Sequence, residues 1–344
     1  MRNGLIIAVA ALGLFASACL APPVRSLAGV NDAWFSSDEG QQTLANILTH
    51  QHALGGWNKT YDVSKPTDKP GNPTIDNSAT WSEIRLLARA HRHTGDARYR
   101  DAAVRGIEFL LKFQYPSGGW PQQMPPPKGK YNAAITFNDD AMAQVMIVLR
   151  DIAYEHPDFA WVDDALRARV TEAFNRGIDC ILQTQIVQDG VPTGWCAQHD
   201  PETLEPVQAR AYELPSISGT EGAMILELLM SVRDPDERVR KAVHSAAAWF
   251  DKVKLLGVRE DRVTGPQYEG GRDRFVVEDP SAPPMWARFY DLETNKPIFV
   301  DRDGIPKSSI RDIGHERRVG YAWYTTRPNR VLEQYQEWKK KHPN

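Results

Sequence analysis

An all-α fold, a toroid or solenoid of helical hairpins, is predicted by three observations. One phrase recurs, new helices start at matched intervals, and their apolar residues fall in stripes. The phrase is an apolar helical run, then glutamine, then Gly-Trp and a polar loop. Its first copy runs from Leu48 through Gln51 to Gly56-Trp57. The second reads Arg105-Gly106-Ile107-Glu108-Phe109-Leu110-Leu111, then Gln114, then Gly119-Trp120. The third reads Arg176-Gly177-Ile178-Asp179-Cys180-Ile181-Leu182, then Gln183 and Gln185, then Gly194-Trp195. Helical repeats of this kind bury their apolar faces only by stacking on one another.

After each Gly-Trp comes a loop rich in Pro, Lys and Asn, then a helix opened by acidic or amide residues. Trp57 and Asp76 are as far apart as Trp120 and Asp139, so the loop belongs to the repeat. Asp76-Asn77-Ser78 leads into a helix over 81–91, and Asn138-Asp139-Asp140 into one over 141–153. Ser218-Gly219-Thr220-Glu221 leads into a third over 222–232. Ala141, Val145, Val148 and Ile152 give a stripe at helical spacing, as do Met224, Ile225, Leu228 and Leu229. Segments 162–181 and 238–255 also read as helices. From Gly257 onward Gly, Pro, Asp and Arg dominate, which predicts loops and short strands before a last helix over 329–341. Nothing reads as a linker, so one domain over 30–344 is expected.

Residues 1–21 stand apart as a signal peptide. Arg2 precedes a short apolar run from Leu5 to Ala18, and Ala16-Ser17-Ala18 offers small residues for cleavage. The run is too short to span a membrane. Secretion or periplasmic export is expected, with an outer-membrane lipid anchor on Cys19 as the alternative. Cys180 and Cys196 remain; export permits a bridge between them, and burial as free thiols is equally open. The net charge of −3 gives no support for a nucleic-acid partner. A polyanionic ligand would need a local basic cluster or a bridging cation.

The acids at the helix starts have two readings. Asp76, Asp139 and Asp140 could cap exposed N–H groups. If repeats stack, equivalent helix N-termini face one rim, and the same carboxylates converge on one site. Such oxygen donors suit a hard cation such as calcium, or a glycoside hydrolase's acid and base, with Asp139 or Asp140 opposite Glu213 or Glu221. Arg288, Arg302, Arg317 and Arg318 lie among aromatic residues, and guanidinium forks suit carboxylate groups. The tryptophans of the repeat either close each unit or face sugar rings; Trp195 is carried as a sugar contact. Zinc-protease, serine-hydrolase and phosphate-loop motifs are absent, and His91, His93 and His199 read as surface or core residues.

Six segments taken together resemble the pectate lyases of polysaccharide lyase family ten, over roughly 33–343. They are Gly118-Gly119-Trp120-Pro121-Gln122, Thr136-Phe137-Asn138-Asp139-Asp140-Ala141-Met142 and Arg210-Ala211-Tyr212-Glu213-Leu214-Pro215-Ser216. The others are Trp286-Ala287-Arg288-Phe289-Tyr290-Asp291, Asp301-Arg302-Asp303-Gly304 and Glu316-Arg317-Arg318-Val319-Gly320-Tyr321. The resemblance implies an (α/α)3 toroid of three hairpins with an open groove for polygalacturonate. It implies calcium-assisted β-elimination with arginine as Brønsted base, here Arg210. Asp76 and Asp139, with Asp140, then hold calcium, while Asp76, Asn77, Arg288, Arg302, Arg317 and Trp195 contact substrate. A guanidine at Arg210, with its pKa lowered by nearby cations, gives an expected alkaline optimum. A monomer is expected. The rivals are the hydrolase above, a terpenoid cyclase using similar Gln and Gly-Trp repeats, and a non-catalytic sugar-binding protein.

Overall fold

The computed structural model describes residues 24–343, so the expected signal peptide and Cys19 lie outside the described residues. Nine α-helices are described: α1 (Asp38–Thr49), α2 (Trp81–Thr94), α3 (Ala97–Lys112), α4 (Ala141–Ala153), α5 (Asp164–Gln183), α6 (Glu221–Met230), α7 (Glu237–Val253), α8 (His315–Gly320) and α9 (Arg327–Lys341). Helix α2 packs on α3, α4 on α5 and α6 on α7. One row is α2, α4 and α6; the second is α3, α5 and α7. The fold is mostly helical, as the repeats predict. Among the described residues no helix is long and apolar enough to cross a membrane.

Every letter of the repeated phrase has a packing duty. Trp57, Trp120 and Trp195 are fully buried, and their indole N–H groups donate to the carbonyls of Ile47, Leu110 and Ile181. Gln51 Nε2 donates to the carbonyls of Gly55 and Ala102, Gln114 Nε2 to Gly118 and Ala173, and Gln185 Nε2 to Thr193 and Ala242. Each glutamine thus ties its own loop to the next helix of the second row. Arg105 and Arg176 complete the tie by donating to Gln51 Oε1 and Gln114 Oε1, each through Nη2 at 2.5 Å. Gly118 has φ +91, and a Cβ there would sit 2.1 Å from the Arg176 carbonyl, so the turn demands glycine.

The two rows start differently. Helices α3, α5 and α7 open on Asp96, Asp163 and Asp236, whose carboxylates accept a backbone N–H. The N-cap residues of α2, α4 and α6 are Thr80, Asp140 and Thr220, and none makes a side-chain cap. Instead Asn77 (φ 49), Ser78 (φ 75) and Thr80 (φ 69), and then Asp139 (φ 52) and Asp140 (φ 63), turn through the left-handed region. Asn and Asp tolerate that backbone better than most residues. Thr80 is stabilised there by its hydroxyl, which accepts from Trp57 N and donates to Thr74 O.

Beyond α7, an antiparallel hairpin pairs Val258–Thr264 with Arg272–Glu278. Its Arg274 donates to the Tyr321 carbonyl at 2.6 Å, and Asp273 accepts Arg318 at 2.7 and 3.0 Å. These contacts seat α8 and Tyr321. A small second core of Phe289, Phe299, Ile310, Ile313 and Trp323 lies under this region. Cys180 and Cys196 are free buried thiols, so no bridge joins them; burial pushes the Cys180 thiol up to about 12.

Candidate active site

The uncapped N-termini of α2, α4 and α6 bring Asp76, Asp139, Asp140 and Glu221 to one rim. A cleft of about 280 Å³ there is lined by Asn77, Trp81, Asp139, Asp140, Glu221 and Arg327, among others. An adjoining recess of about 460 Å³ shares Asn77 and Ser78 and includes Lys59, Tyr61 and Glu83. A larger groove of about 1160 Å³ beside α7 and the C-terminal residues shares no residue with either.

Each carboxylate meets a cation. Asp76 Oδ2 is paired with Lys59, while Asp76 Oδ1 is buried with no hydrogen-bond partner among the described residues. Arg288 Nη2 donates to Glu221 Oε1 at 2.6 Å, Asn138 Oδ1 at 3.1 Å and Asp139 Oδ1 at 3.4 Å. Arg327 Nη1 donates to Asp140 Oδ1 at 2.7 Å. Burial raises the Asp139 carboxyl above its ordinary range; Arg288 opposes the shift, and Glu221 and Asp76 add to it. Asp139 therefore feels the charge of Asp76 across the cleft.

Arginines gather on two tyrosines beside this rim. Tyr212 and Tyr321 pack edge to face at 5.3 Å. The Arg288 guanidinium lies 4.7 Å from the Tyr321 centroid, and that of Arg210 lies 5.8 Å from it. Around Tyr212 stand Arg317 at 4.5 Å, Arg210 at 5.1 Å and Arg302 at 5.8 Å. Cation–π attraction favours this arrangement over an open cluster of like charges. Arg210 is thus linked to Asp139 through one shared ring and Arg288.

Arginines do stand near Arg210, but its pKa is raised rather than lowered. Its Nε donates to Glu213 Oε2 at 2.7 Å, its Nη2 to Glu213 Oε1, and Glu213 also accepts from Tyr321 Oη at 2.7 Å. The Glu213 hydrogen bond raises the Arg210 pKa, against the opposing effect of burial. Burial pushes Glu213 up, but Arg210 and Tyr321 outweigh it and hold the carboxyl below its ordinary value. Glu316 is held at about 2, first by Arg317 and then by Arg302.

The predicted residues therefore separate. Asn77 and Asp139 line the cleft with Asp140, Asp76 lies buried next to Asn77 with its carboxylate on Lys59, and Arg302 is largely exposed beside Tyr212. Arg288 and Arg317 are buried, with their guanidinium groups engaged by Glu221 and Glu316. Asp140, expected to ligate a metal with Asp139, is held by Arg327. Trp195 is a correction: fully buried, with its N–H on the Ile181 carbonyl, it offers no face to a sugar. Sequence reasoning missed Lys59, Tyr321 and Arg327 as partners, and weighed Glu213 and Glu221 only as a hydrolase's acids. The repeat spacing does place Glu221 at the third helix start, as Asp76 and Asp139 stand at the first two.

Among the described residues no group of three or more His, Cys, Asp and Glu side chains is arranged to hold a metal ion. The orphaned Oδ1 of Asp76, with Asp139 near enough to be raised by its charge, fits a hard cation that completes its shell with ligand oxygens and water.

Comparison with known proteins follows this geometry. The family model described as pectic acid lyase matches residues 51–332. A family 10 polysaccharide lyase from Cellvibrio cellulosa is similar in structure, with TM-score 0.79 and 34% identity, over 89% of this chain and 94% of that one. An aspartate-to-alanine variant of that lyase, in complex with trigalacturonic acid, gives TM-score 0.78 at 34% identity, over 89% and 96% of the two chains. Among curated proteins no sequence matches.

Proposed function

The chain belongs to the pectic acid lyase family and is a polysaccharide lyase, and on that premise we propose that it is an exported pectate lyase. It cleaves α-1,4-polygalacturonate by calcium-assisted β-elimination, as a monomer, with Arg210 as base. The two helix rows form arcs of an (α/α)3 toroid whose open face carries the groove. The observation that carries this reading is the juxtaposition of a carboxylate rim with arginines packed on Tyr212 and Tyr321.

Asp76 and Asp139 would hold the cation, which when bound would supply Lewis-acid neutralisation of the uronate carboxylate. Arg288 keeps Asp139 and Glu221 from repelling one another and orients both. Arg302 and Asn77, both exposed, meet the sugar chain, Arg302 through its carboxylates. Glu213 aims the Arg210 guanidine. The C5–H bond breaks with its proton passing to Arg210, the electron pair forms the C4–C5 double bond, and the C4 oxygen leaves and takes a proton from water. A guanidinium clamped by a carboxylate gives up its proton only at high pH, so the optimum is alkaline.

The hydrolase reading loses support because Glu213 and Glu221 are each ion-paired to arginine, leaving neither as a ready acid. Incubation with polygalacturonate tests the reading. Ultraviolet-absorbing unsaturated oligogalacturonides should accumulate with calcium and cease with chelator. Reducing ends released without that absorbance would overturn elimination; product formation indifferent to chelator would overturn the cation.

A further inference from the structure

Four acidic side chains stand at the rim, and their counterions differ in how firmly they are held. Arg288, which serves Asp139 and Glu221, has a side chain only 7% exposed. Arg327, which serves Asp140, is partly buried on α9. Lys59, which serves Asp76, sits on the loop after Trp57 with its side chain 42% exposed, while the Asp76 side chain is 6% exposed. The matching position of the second repeat, two residues after Trp120, is Gln122, which accepts from Asn132 at 3.0 Å. Lys59 is therefore an addition to the first repeat rather than part of its scaffold.

Its loop is anchored from the other side. Tyr61 donates to the buried Glu83 of α2 at 2.9 Å and stacks on His50 at 4.3 Å. The anchor keeps Lys59 within reach of Asp76 while the flexible lysine stem leaves its ammonium free to move. Asp76 offers Oδ2 to Lys59 and keeps Oδ1 buried without a partner, pointing to a second positive charge that completes the site.

We propose that Lys59 is the exchangeable counterion of Asp76: it neutralises Asp76 when the divalent cation is absent and is displaced when the cation binds. This rests on the reading that Asp76 and Asp139 hold that cation. The physical reason is charge balance. Asp76 and Asp139 are like charges on packed elements, and a single ammonium on Asp76 offsets their repulsion at modest strength. A divalent ion beside the same carboxylate repels the ammonium, which leaves Asp76 for the open part of the recess that Lys59 already lines with Tyr61 and Asn77. There it meets the anionic sugar chain. Lys59 thereby weakens calcium binding in the empty enzyme and returns the difference when substrate is present, a coupling between two ligands.

Calorimetric titration of calcium into the sugar-free protein tests this, comparing wild type with Lys59→Met and Lys59→Arg, each checked for native circular dichroism. The inference predicts calcium bound about tenfold more tightly by Lys59→Met, the scale of removing one unit charge about 6 Å from a divalent ion through water, where the displaced ammonium sits. Lys59→Arg should restore an affinity close to wild type. A merely structural lysine, one that only holds Asp76 in place, predicts weaker binding in Lys59→Met; weaker or unchanged binding overturns the inference and leaves the cation reading standing. Absence of calcium binding in folded wild type overturns both.

Discussion

At the scale of single residues, the pairing of Arg210 with Glu213 sets the conditions under which Arg210 could act in the proposed role of base. A carboxylate forked onto the guanidinium orients it and raises its pKa. Orientation helps catalysis, while the raised pKa leaves less of the neutral base at a given pH. Glu213→Gln keeps an acceptor and removes the charge. The rise of kcat/KM with pH should then move to lower pH by about one unit or more, since losing that charge lowers the Arg210 pKa. A pH–rate profile checks this, and an unmoved rise would mean that Arg210 is not the titrating group. Asp76 and Asp139 stood out in the sequence because they open matched repeats, and Arg210 because it stands beside Tyr212 and Glu213. Lys59 and Arg327 did not, because each meets its partner across a separation in sequence that no local pattern records.

At the scale of elements, the glutamine ties are the joints between repeats. Gln114 satisfies the Gly118 and Ala173 carbonyls and is itself held by Arg176. Gln114→Ala leaves both carbonyls and the arginine short of a partner, and should lower stability by about 2 kcal/mol in urea unfolding. Gln183→Ala should change little, since Gln183 is exposed and bonds only within its own helix. That contrast separates Gln183 from Gln185, which the sequence left as equivalent candidates.

Glu83 gives helix α2 a pH dependence of its own. Fully enclosed, with Tyr61 and Ser82 as donors and no cation against it, its carboxyl is pushed up to about 7, mainly by burial. A folded pKa above the unfolded one means stability present at low pH that is lost as pH rises through about 7. Glu83→Gln removes this loss. Its Tm relative to wild type should rise between about pH 5 and pH 8; a constant difference across that range would place the titration elsewhere.

The helix boundaries repeat the same lesson. The helix over 141–153 was read correctly, because a dense apolar stripe starts sharply after Asp140. Helix α2 runs on past His91 to Thr94, where Gly95 ends it in the left-handed region. The short α8 escaped notice: its six residues are mostly charged, and the hairpin and Trp323 hold it in place rather than any periodicity of its own.

Across the whole molecule, a nearly neutral chain concentrates opposite charges on one face. The N-cap side chains of α2, α4 and α6 make no capping bond, and Asp76, Asp139 and Glu221 stand at those helix starts, where the helix field favours negative charge. Arginines delivered by the region after α7 then answer those carboxylates. Such a surface holds a polyuronate through local pairing, and its net charge of −3 need not change sign to do so. The repeat made the helical scaffold legible; Arg288, Arg302 and Arg317 lie beyond Gly257, in a region whose positions depend on the hairpin and the second small core.

The proposal that one guanidine and one aspartate rim act on the same sugar is tested most directly by the rate of unsaturated-product formation from polygalacturonate at saturating calcium, in wild type and folded Arg210→Ala. A fall of at least about a hundredfold, in the range expected for removing a general base, with calcium affinity unchanged, is the predicted result. A variant that keeps a rate near wild type would contradict it.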